Sequence, residues 1–240
     1  MAQLQRVAIA PNQQFDGHIQ LTDAQGHYLQ RVLRLQVGDR FIAMDGSQWW
    51  LAEIQDGFRA TMLEILPAAA EVSTTITLIM AMPKQGMDDI VRQATELGVS
   101  TIVPVQSDRT LLKPSTQKLD RWQRIVQEAA EQSERQQIPM VMDPQGAIAA
   151  LGATKASHRY ICTARGDRPS LLSVAQRDCK TLQNVTIAVG PEGGWSETEV
   201  QQAIAFGYQP VSLGRHILRA ITAPLVALSI LTAVLEDESL

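Results

Sequence analysis

The segment GPEGG at residues 190–194 places three glycines and a proline between an apolar run, VTIAVG, and the polar stretch SETEV. Glycine has no Cβ atom, so the backbone amide and carbonyl groups of such a loop can come close to a ligand, while Pro191 limits its flexibility. Ser196, followed three residues later by Glu199, predicts a capping box and the start of a helix. The pattern favours a flat, hydrogen-bonding ligand at the end of a strand. The alternative is a turn that only requires positive φ angles.

Phosphate binding by this loop is a weaker hypothesis, which would make the protein a nucleotide-binding enzyme. The loop matches neither the GxGxxG pattern nor the phosphate-binding P-loop, and the carboxylate of Glu192 would repel phosphate.

A second glycine, Gly214, lies in LGRHILRAITAPLVALSIL, between a predicted short strand and a long apolar helix that Thr222 can cap. Residues 220–235 carry no charge, which predicts a helix that is buried on all sides. The two glycine-containing loops could form opposite walls of one pocket.

A basic cluster with a neighbouring aromatic residue lies near the N-terminus and consists of Tyr28, Arg31, Arg34 and Arg40. Arginine and tyrosine side chains in this combination could hold the backbone of RNA. Because Asp39 and Asp45 are close in sequence, a solvated face without a ligand is the alternative.

The elements around these residues fall into two parts. Residues 4–66 read as short strands separated by turns, with one helix predicted over 27–35. From Thr75 onward, short apolar runs alternate with amphipathic helices, which predicts an α/β domain with a mostly parallel sheet. A linker near 67–75 divides the chain into domains 1–71 and 72–240. Ligands of such sheets usually bind where the carboxyl ends of strands meet helix starts.

Composition excludes several classes of protein. The formal net charge of −4 argues against a protein that coats nucleic acid through a generally basic surface. The 4 histidines and 2 cysteines have no ligand spacing, so no metal is expected. No apolar run is long enough to cross a bilayer and no signal peptide precedes the first strand, so we expect a cytoplasmic protein without a membrane partner.

Four segments together resemble the RsmE family of SPOUT-class RNA methyltransferases, which methylate N3 of a uridine in 16S ribosomal RNA of the small subunit. They are GPEGGWSETEV, LGRHILRAITAPLVALSIL, RQATELGVSTIVPVQSDR and RWQRIVQEAAEQSERQQIP. The resemblance implies an N-terminal PUA-like β-barrel that binds RNA and a C-terminal parallel-sheet domain with a trefoil knot that binds S-adenosylmethionine. It also implies a homodimer that acts on 16S ribosomal RNA or on the small ribosomal subunit.

The resemblance also assigns site residues. The expected cofactor-binding residues form three walls: Gly190, Pro191, Glu192, Gly193 and Gly194; Leu213, Gly214, Ile217 and Leu218; and Thr163 with Ala164.

Methylation of uracil N3 requires loss of the N3 proton, and a cation near O2 or O4 would stabilise the resulting anion. Arg109 and Arg219 are the candidates for this catalytic role. A loop salt bridge is the alternative for Arg109, whereas Arg219 is expected to be costly to place beside a buried helix without a partner.

The chain departs from the family's pattern LGxRILRTETA at His216, Ala220 and Ile221. The absent carboxylate at position 221 supports an alternative function, an RNA- or ribosome-binding protein that binds the cofactor but does not transfer the methyl group.

Overall fold

The structure, a computed structural model, describes residues 4–67, 74–110 and 116–237. The chain divides into two compact units, Met1–Glu71 with Ala130–Ile138, and Val72–Ala129 with Pro139–Leu240. Together they give the mixed α/β fold predicted from the sequence. Most of the predicted linker, and with it the predicted boundary after residue 71, lies outside the described residues.

The first unit contains one six-stranded sheet in the order β1-β4-β5-β6-β3-β2, in which β1 pairs in parallel with β4 and the other neighbours are antiparallel. Its strands are β1 Arg6–Ala8, β2 Gln14–Phe15, β3 His18–Gln20, β4 Arg40–Met44, β5 Trp49–Gln55 and β6 Arg59–Leu66. Alternate apolar side chains, Phe41 and Ile54 among them, point to one face and form the core.

The helix predicted over 27–35 is confirmed for residues 27–32, but its predicted bounds are wrong. Residues Asp23–His27 form α1, whose N-cap Thr22 accepts a hydrogen bond from the backbone N–H of Gln25, and Tyr28–Val32 continue as a single π-helical turn. Arg34 then has a φ of 58°, which ends any helix. The apolar spacing alone could not reveal that the cap lies five residues earlier, at Thr22.

The second unit is built on a seven-stranded sheet whose described pairings are all parallel, in the order β10-β8-β7-β12-β11-β13, with β9 on β8. The strands are β7 Thr75–Ala81, β8 Thr101–Gln106, β9 Met140–Val141, β10 Gln145–Gly146, β11 His158–Cys162, β12 Asn184–Val189 and β13 Gln209–Val211. The helices are α2 Met87–Glu96, α3 Thr116–Gln132, α4 Ala147–Ala153, α5 Leu171–Asp178, α6 Glu197–Ala205 and α7 Ala223–Asp237.

Within one chain the final helix is covered on one side only, so its predicted burial on all sides requires a second copy of the chain and stays a prediction. One side of α7 packs against α2 and α5, and Ala227, Leu228 and Leu231 are buried. Ser229 and Ala233 are exposed because no element of the second unit's described part covers the opposite side. The trefoil knot stays a prediction, since strand order and register do not record how the backbone passes through its own loops.

Candidate functional site

A cavity of about 620 Å³ lies at the carboxyl ends of β12, β11 and β13. These three strands are direct neighbours, so the loops that follow them leave the sheet side by side. The eleven residues expected to bind a cofactor all line this cavity, and they are Thr163, Ala164, Gly190, Pro191, Glu192, Gly193, Gly194, Leu213, Gly214, Ile217 and Leu218.

The glycine loop after β12 requires glycine for two different reasons. Gly194 has a φ of +68° and donates its backbone N–H to the carbonyl of Pro191 at 2.8 Å, which closes a tight turn. Gly190 has no positive φ, but a Cβ there would lie 3.2 Å from the backbone of Trp195. The interpretation as a turn with positive φ therefore holds at Gly194, whereas Gly190 is required because the loop packs closely on its own backbone. Close approach of a ligand to these glycines stays a prediction.

Glu199 fixes this loop to the loop after β8. Its carboxylate is buried and accepts the backbone N–H of Ser196 at 2.7 Å on one oxygen and that of Asp108 at 2.9 Å on the other. The hydroxyl of Ser196 donates to the carboxylate of Asp108 at 2.6 Å. The predicted capping box is confirmed, and the same carboxylate also holds a loop 91 residues away.

Arg109 lies at the edge of the cavity. Its guanidinium donates a hydrogen bond of 2.6 Å to the carbonyl oxygen of Gly193, and a Cβ on Gly193 would lie 3.1 Å from the Arg109 side chain. The partner in the structure is thus a backbone carbonyl of the glycine loop. A carbonyl leaves the positive charge of the guanidinium uncompensated beside the cavity.

The cavity wall that follows β13 makes a turn at Gly214, whose φ is +134°. The hydroxyl of Ser212 donates to the carbonyl of Gly214 at 3.0 Å and accepts the N–H of the same residue at 3.2 Å. Ile217 remains 66% exposed although it lines the cavity, so an apolar surface is available to a ligand there.

The wall after β11 offers a polar group without a partner. The hydroxyl of Thr163 is buried and has no hydrogen bond among the described residues, while its backbone N–H donates to the carbonyl of Val211 at 3.0 Å. A buried hydroxyl without a partner is unfavourable unless a ligand or a water molecule forms a hydrogen bond with it. The adjacent thiol of Cys162 is held neutral, because burial raises its pKa to about 12.

Comparison with known proteins places the chain in a family. The model of the RNA methyltransferase domain family matches residues 70–232, and that of the RNA methyltransferase PUA domain matches residues 21–58. The ribosomal RNA small subunit methyltransferase E of Synechocystis is 46% identical over 97% of this chain and 78% of its own length. The chain belongs to the ribosomal RNA small subunit methyltransferase E (RsmE) family.

Other RsmE proteins match this chain over most of its length, and one of known structure shares its fold. The Bacillus subtilis enzyme is 30% identical over 87% of both chains. The crystal structure of the Neisseria gonorrhoeae enzyme bound to S-adenosyl methionine has a TM-score of 0.84 and is 30% identical, covering 96% of this chain and 98% of its own. The two units of this chain are therefore the two domains of the RsmE family, a SPOUT-type parallel-sheet domain and a PUA-like curled sheet.

Arg219 lies outside the residues that line the cavity, and its side chain is exposed. The expectation that it occupies a costly buried position is wrong, because the segment before α7 runs along the surface. Its carbonyl accepts the N–H groups of Thr222 and Ala223, both at 2.9 Å, which starts α7.

Ile221 departs from the RsmE pattern but does not line the cavity either. Its Cγ2 atom lies 2.7 Å from the position that a Cβ on Gly86 would occupy, so it packs over the N-cap of α2. Ala220, in contrast, is buried and lines the cavity.

The four residues predicted to bind RNA are all exposed on the first unit. Tyr28 and Arg31 lie on the π-helical turn, with Arg34 just after it. Arg40 begins β4 and its guanidinium is 3.6 Å from the carboxylate of Glu53, so part of its charge is already paired.

Two absences apply to residues 4–67, 74–110 and 116–237. No group of three or more His, Cys, Asp or Glu side chains could hold a metal ion in these ranges. No helix within them has the length and apolar character needed to span a membrane.

Sequence reasoning missed several residues at this site. Asp108, Ser212, Arg165, Arg168 and His216 were not assigned to it, yet Ser212, His216 and both arginines line the cavity and Asp108 joins the capping box. Asp108 lies in the SDR stretch after β8, and Arg165 and Arg168 lie in ARGDRPS after β11. Because both stretches follow apolar runs typical of strands, that position is the signal that could have found these three residues.

Proposed function

We propose that the protein transfers a methyl group from S-adenosylmethionine to N3 of a uridine in 16S ribosomal RNA of the small subunit. The observation that carries the proposal is the cavity at the ends of β12, β11 and β13. Its walls contain all eleven residues that match the cofactor loops of the RsmE family. The Neisseria relative, which is bound to S-adenosyl methionine, has the same fold over nearly the whole chain.

The groups around the cavity fit this cofactor. Gly194 and Gly214 have open space where a Cβ would project, so their backbone is accessible to a flat adenine ring. The unpaired Thr163 hydroxyl can complete a hydrogen bond with the ligand. Glu192 on the glycine loop and Glu197 at the start of α6 suit a cofactor that carries a positive sulfonium and an ammonium group, and they disfavour the phosphates of a nucleotide.

The cofactor supplies an electrophilic methyl group, and the residues of the chain prepare the nucleophile. A neutral uracil carries a proton on N3, which must leave before or during transfer. The guanidinium of Arg109, which donates a hydrogen bond to the Gly193 carbonyl, stands at the cavity edge, where it can stabilise negative charge on O2 or O4. Water or a backbone carbonyl accepts the proton in this scheme.

The alternative function, cofactor and RNA binding without transfer, was motivated by Ile221. That side chain packs on Gly86 and, like Arg219, does not line the cavity, so its position does not decide whether transfer requires a carboxylate there. We propose that transfer is retained because the cofactor loops, Arg109 and Arg219 are all present together. We propose Arg219 as a second cation that stabilises the uracil anion. Its side chain would reach the bound uridine from the surface of the protein.

The remaining parts of the proposal concern the assembly. The first unit binds ribosomal RNA through Tyr28, Arg31, Arg34 and Arg40. Two copies form a homodimer that covers the exposed side of α7. The protein acts in the cytoplasm on the small subunit or its RNA.

The test is single-turnover methylation of small subunits from cells that lack the gene, with N3-methyluridine identified by nucleoside analysis. We expect transfer by the unaltered protein and a loss of about 100-fold or more in rate for Arg109→Ala and for Arg219→Ala. Arg92→Ala, which removes an exposed arginine already paired with Asp89, is the control.

Three outcomes would contradict parts of this proposal. An inactive protein that gains activity through Ile221→Glu would support the alternative function. Equal rates for the unaltered protein and Arg219→Ala would remove that arginine from the mechanism. Absence of S-adenosylhomocysteine binding in calorimetry would refute the cofactor assignment.

A further inference from the structure

The charged residues of the three cavity loops are segregated. The loops at 163–170 and 212–222 together contain four arginines and a histidine against a single acid, Asp167. The glycine loop and the first residue of α6, residues 190–197, contain two acids, Glu192 and Glu197, and no base. The loops after β11 and β13 therefore carry an excess of positive charge, and the only base at the glycine loop among the described residues that line the cavity is Arg109, which comes from the loop after β8.

Hydrogen bonds hold the two positive loops next to each other. The N–H of Thr163 donates to Val211 at 3.0 Å, at the start of the first loop. At its end, Ser212 donates its N–H to the carbonyl of Pro169 at 2.9 Å and accepts that of Leu171 at 2.9 Å. Both ends of the first loop are thus attached to the start of the second, which keeps their arginines on one side of the cavity.

Arg165, Arg168 and Arg215, which we call the basic rim, are exposed, and none of them forms an ion pair with a described residue. Arg165 and Arg168 line the cavity, and Arg215 precedes His216, which also lines it. Two surface arginines elsewhere in the second unit, Arg92 and Arg121, are each paired with an aspartate. The basic rim therefore places guanidinium groups without a paired carboxylate at the mouth of the cavity. A planar guanidinium can donate two parallel hydrogen bonds to the oxygens of one phosphate.

We propose that the basic rim binds the phosphodiester backbone of the RNA strand that carries the target nucleotide. This inference rests on the proposed RNA methyltransferase function. An enzyme that modifies a base must take that base out of the stack into its pocket, and the phosphates on either side then remain at the pocket's mouth. Arg165 and Arg168 of the rim line the cavity and are exposed, so they stand at this place. It gives the second unit an RNA contact of its own, separate from the residues of the first unit.

The test measures binding of an unmodified 16S ribosomal RNA transcript, without cofactor, as a function of salt. The variant is Arg165→Gln/Arg168→Gln, and the matched control is Arg92→Gln/Arg121→Gln, which changes the net charge equally at paired arginines. Loss of two phosphate contacts lowers the slope of log affinity against log salt by about 1.4, at roughly 0.7 per contact. Between 50 and 200 mM salt, the ratio of the RNA affinity of the unaltered protein to that of the variant then falls about sevenfold.

We expect this change for the rim variant and none for the control, whose two arginines do not line the cavity and which should bind S-adenosylhomocysteine like the unaltered protein. Equal RNA affinity and salt slope for the rim variant and the unaltered protein would overturn the inference. So would a loss confined to S-adenosylhomocysteine binding, which would assign the arginines to the cofactor. Because the assay needs no methyl transfer, the binding result can be interpreted even if the proposed reaction fails.

Discussion

Replacement of Glu199 by glutamine tests whether one buried carboxylate holds the two loops at the cavity in place. The carboxylate is 2% exposed and accepts one backbone N–H on each oxygen, from Ser196 at 2.7 Å and from Asp108 at 2.9 Å. An amide of the same shape keeps one acceptor but turns an NH2 group toward the other N–H donor. One charge-assisted hydrogen bond is lost and one buried donor is left without an acceptor.

The expected cost follows from these two losses. A hydrogen bond to a charged group contributes about 1.5–3 kcal/mol, and an unsatisfied buried donor costs about 1–3 kcal/mol, so we expect Glu199→Gln to destabilise the second unit by about 3 kcal/mol. For a domain of this size, that corresponds to a fall of about 6–12 °C in its Tm. Because Asp108 precedes Arg109, affinity for S-adenosylhomocysteine should fall together with stability.

The measurements are thermal unfolding followed by circular dichroism and calorimetric titration with S-adenosylhomocysteine. Glu96→Gln is the matched control, since it makes the same chemical change on an exposed position of α2. A Glu199→Gln variant with the Tm and the ligand affinity of the unaltered protein would refute the idea that this carboxylate joins the two loops.

Three further predictions concern other parts of the chain. Gly194→Ala, which forces a Cβ onto a φ of +68°, should cost about 1–2 kcal/mol, and unchanged urea unfolding would contradict the requirement for glycine there. Burial raises the pKa of Asp45, but hydrogen bonds from Trp50, Ser47 and Gln48 outweigh it and lower the pKa to about 2. Because the folded pKa lies below the unfolded value of about 3.9, the stabilisation is complete above that value and disappears as the pH falls toward 2. Asp45→Asn should therefore lose less stability than the unaltered protein between pH 4 and pH 2, and parallel acid-unfolding curves would argue against this. Sedimentation at micromolar concentration should show a dimer that Ala233→Arg, on the exposed side of α7, converts to monomer, whereas a monomeric unaltered protein would exclude this interface.

Much of the site could be predicted from local sequence. The capping box of Ser196 and Glu199 spans four residues, so propensity and spacing identify it without knowledge of the fold. The alternation of apolar runs with amphipathic helices predicts parallel strands, and the loops after them are expected to share one edge of the sheet. The resemblance to the RsmE family added the identity of the eleven residues that the structure places around one cavity. Their role as cofactor ligands stays a prediction.

Other features depend on contacts between residues far apart in sequence. The second oxygen of Glu199 binds Asp108, and Arg109 meets Gly193, only because the order of strands brings the loop after β8 near the loop after β12. The surface position of Arg219 likewise follows from the path of the chain before α7, which no periodicity records. The sequence by itself determined the local caps, the turns and the family. The tertiary structure decided which charges face the cavity and which face solvent, because burial and pairing arise only when distant segments pack together.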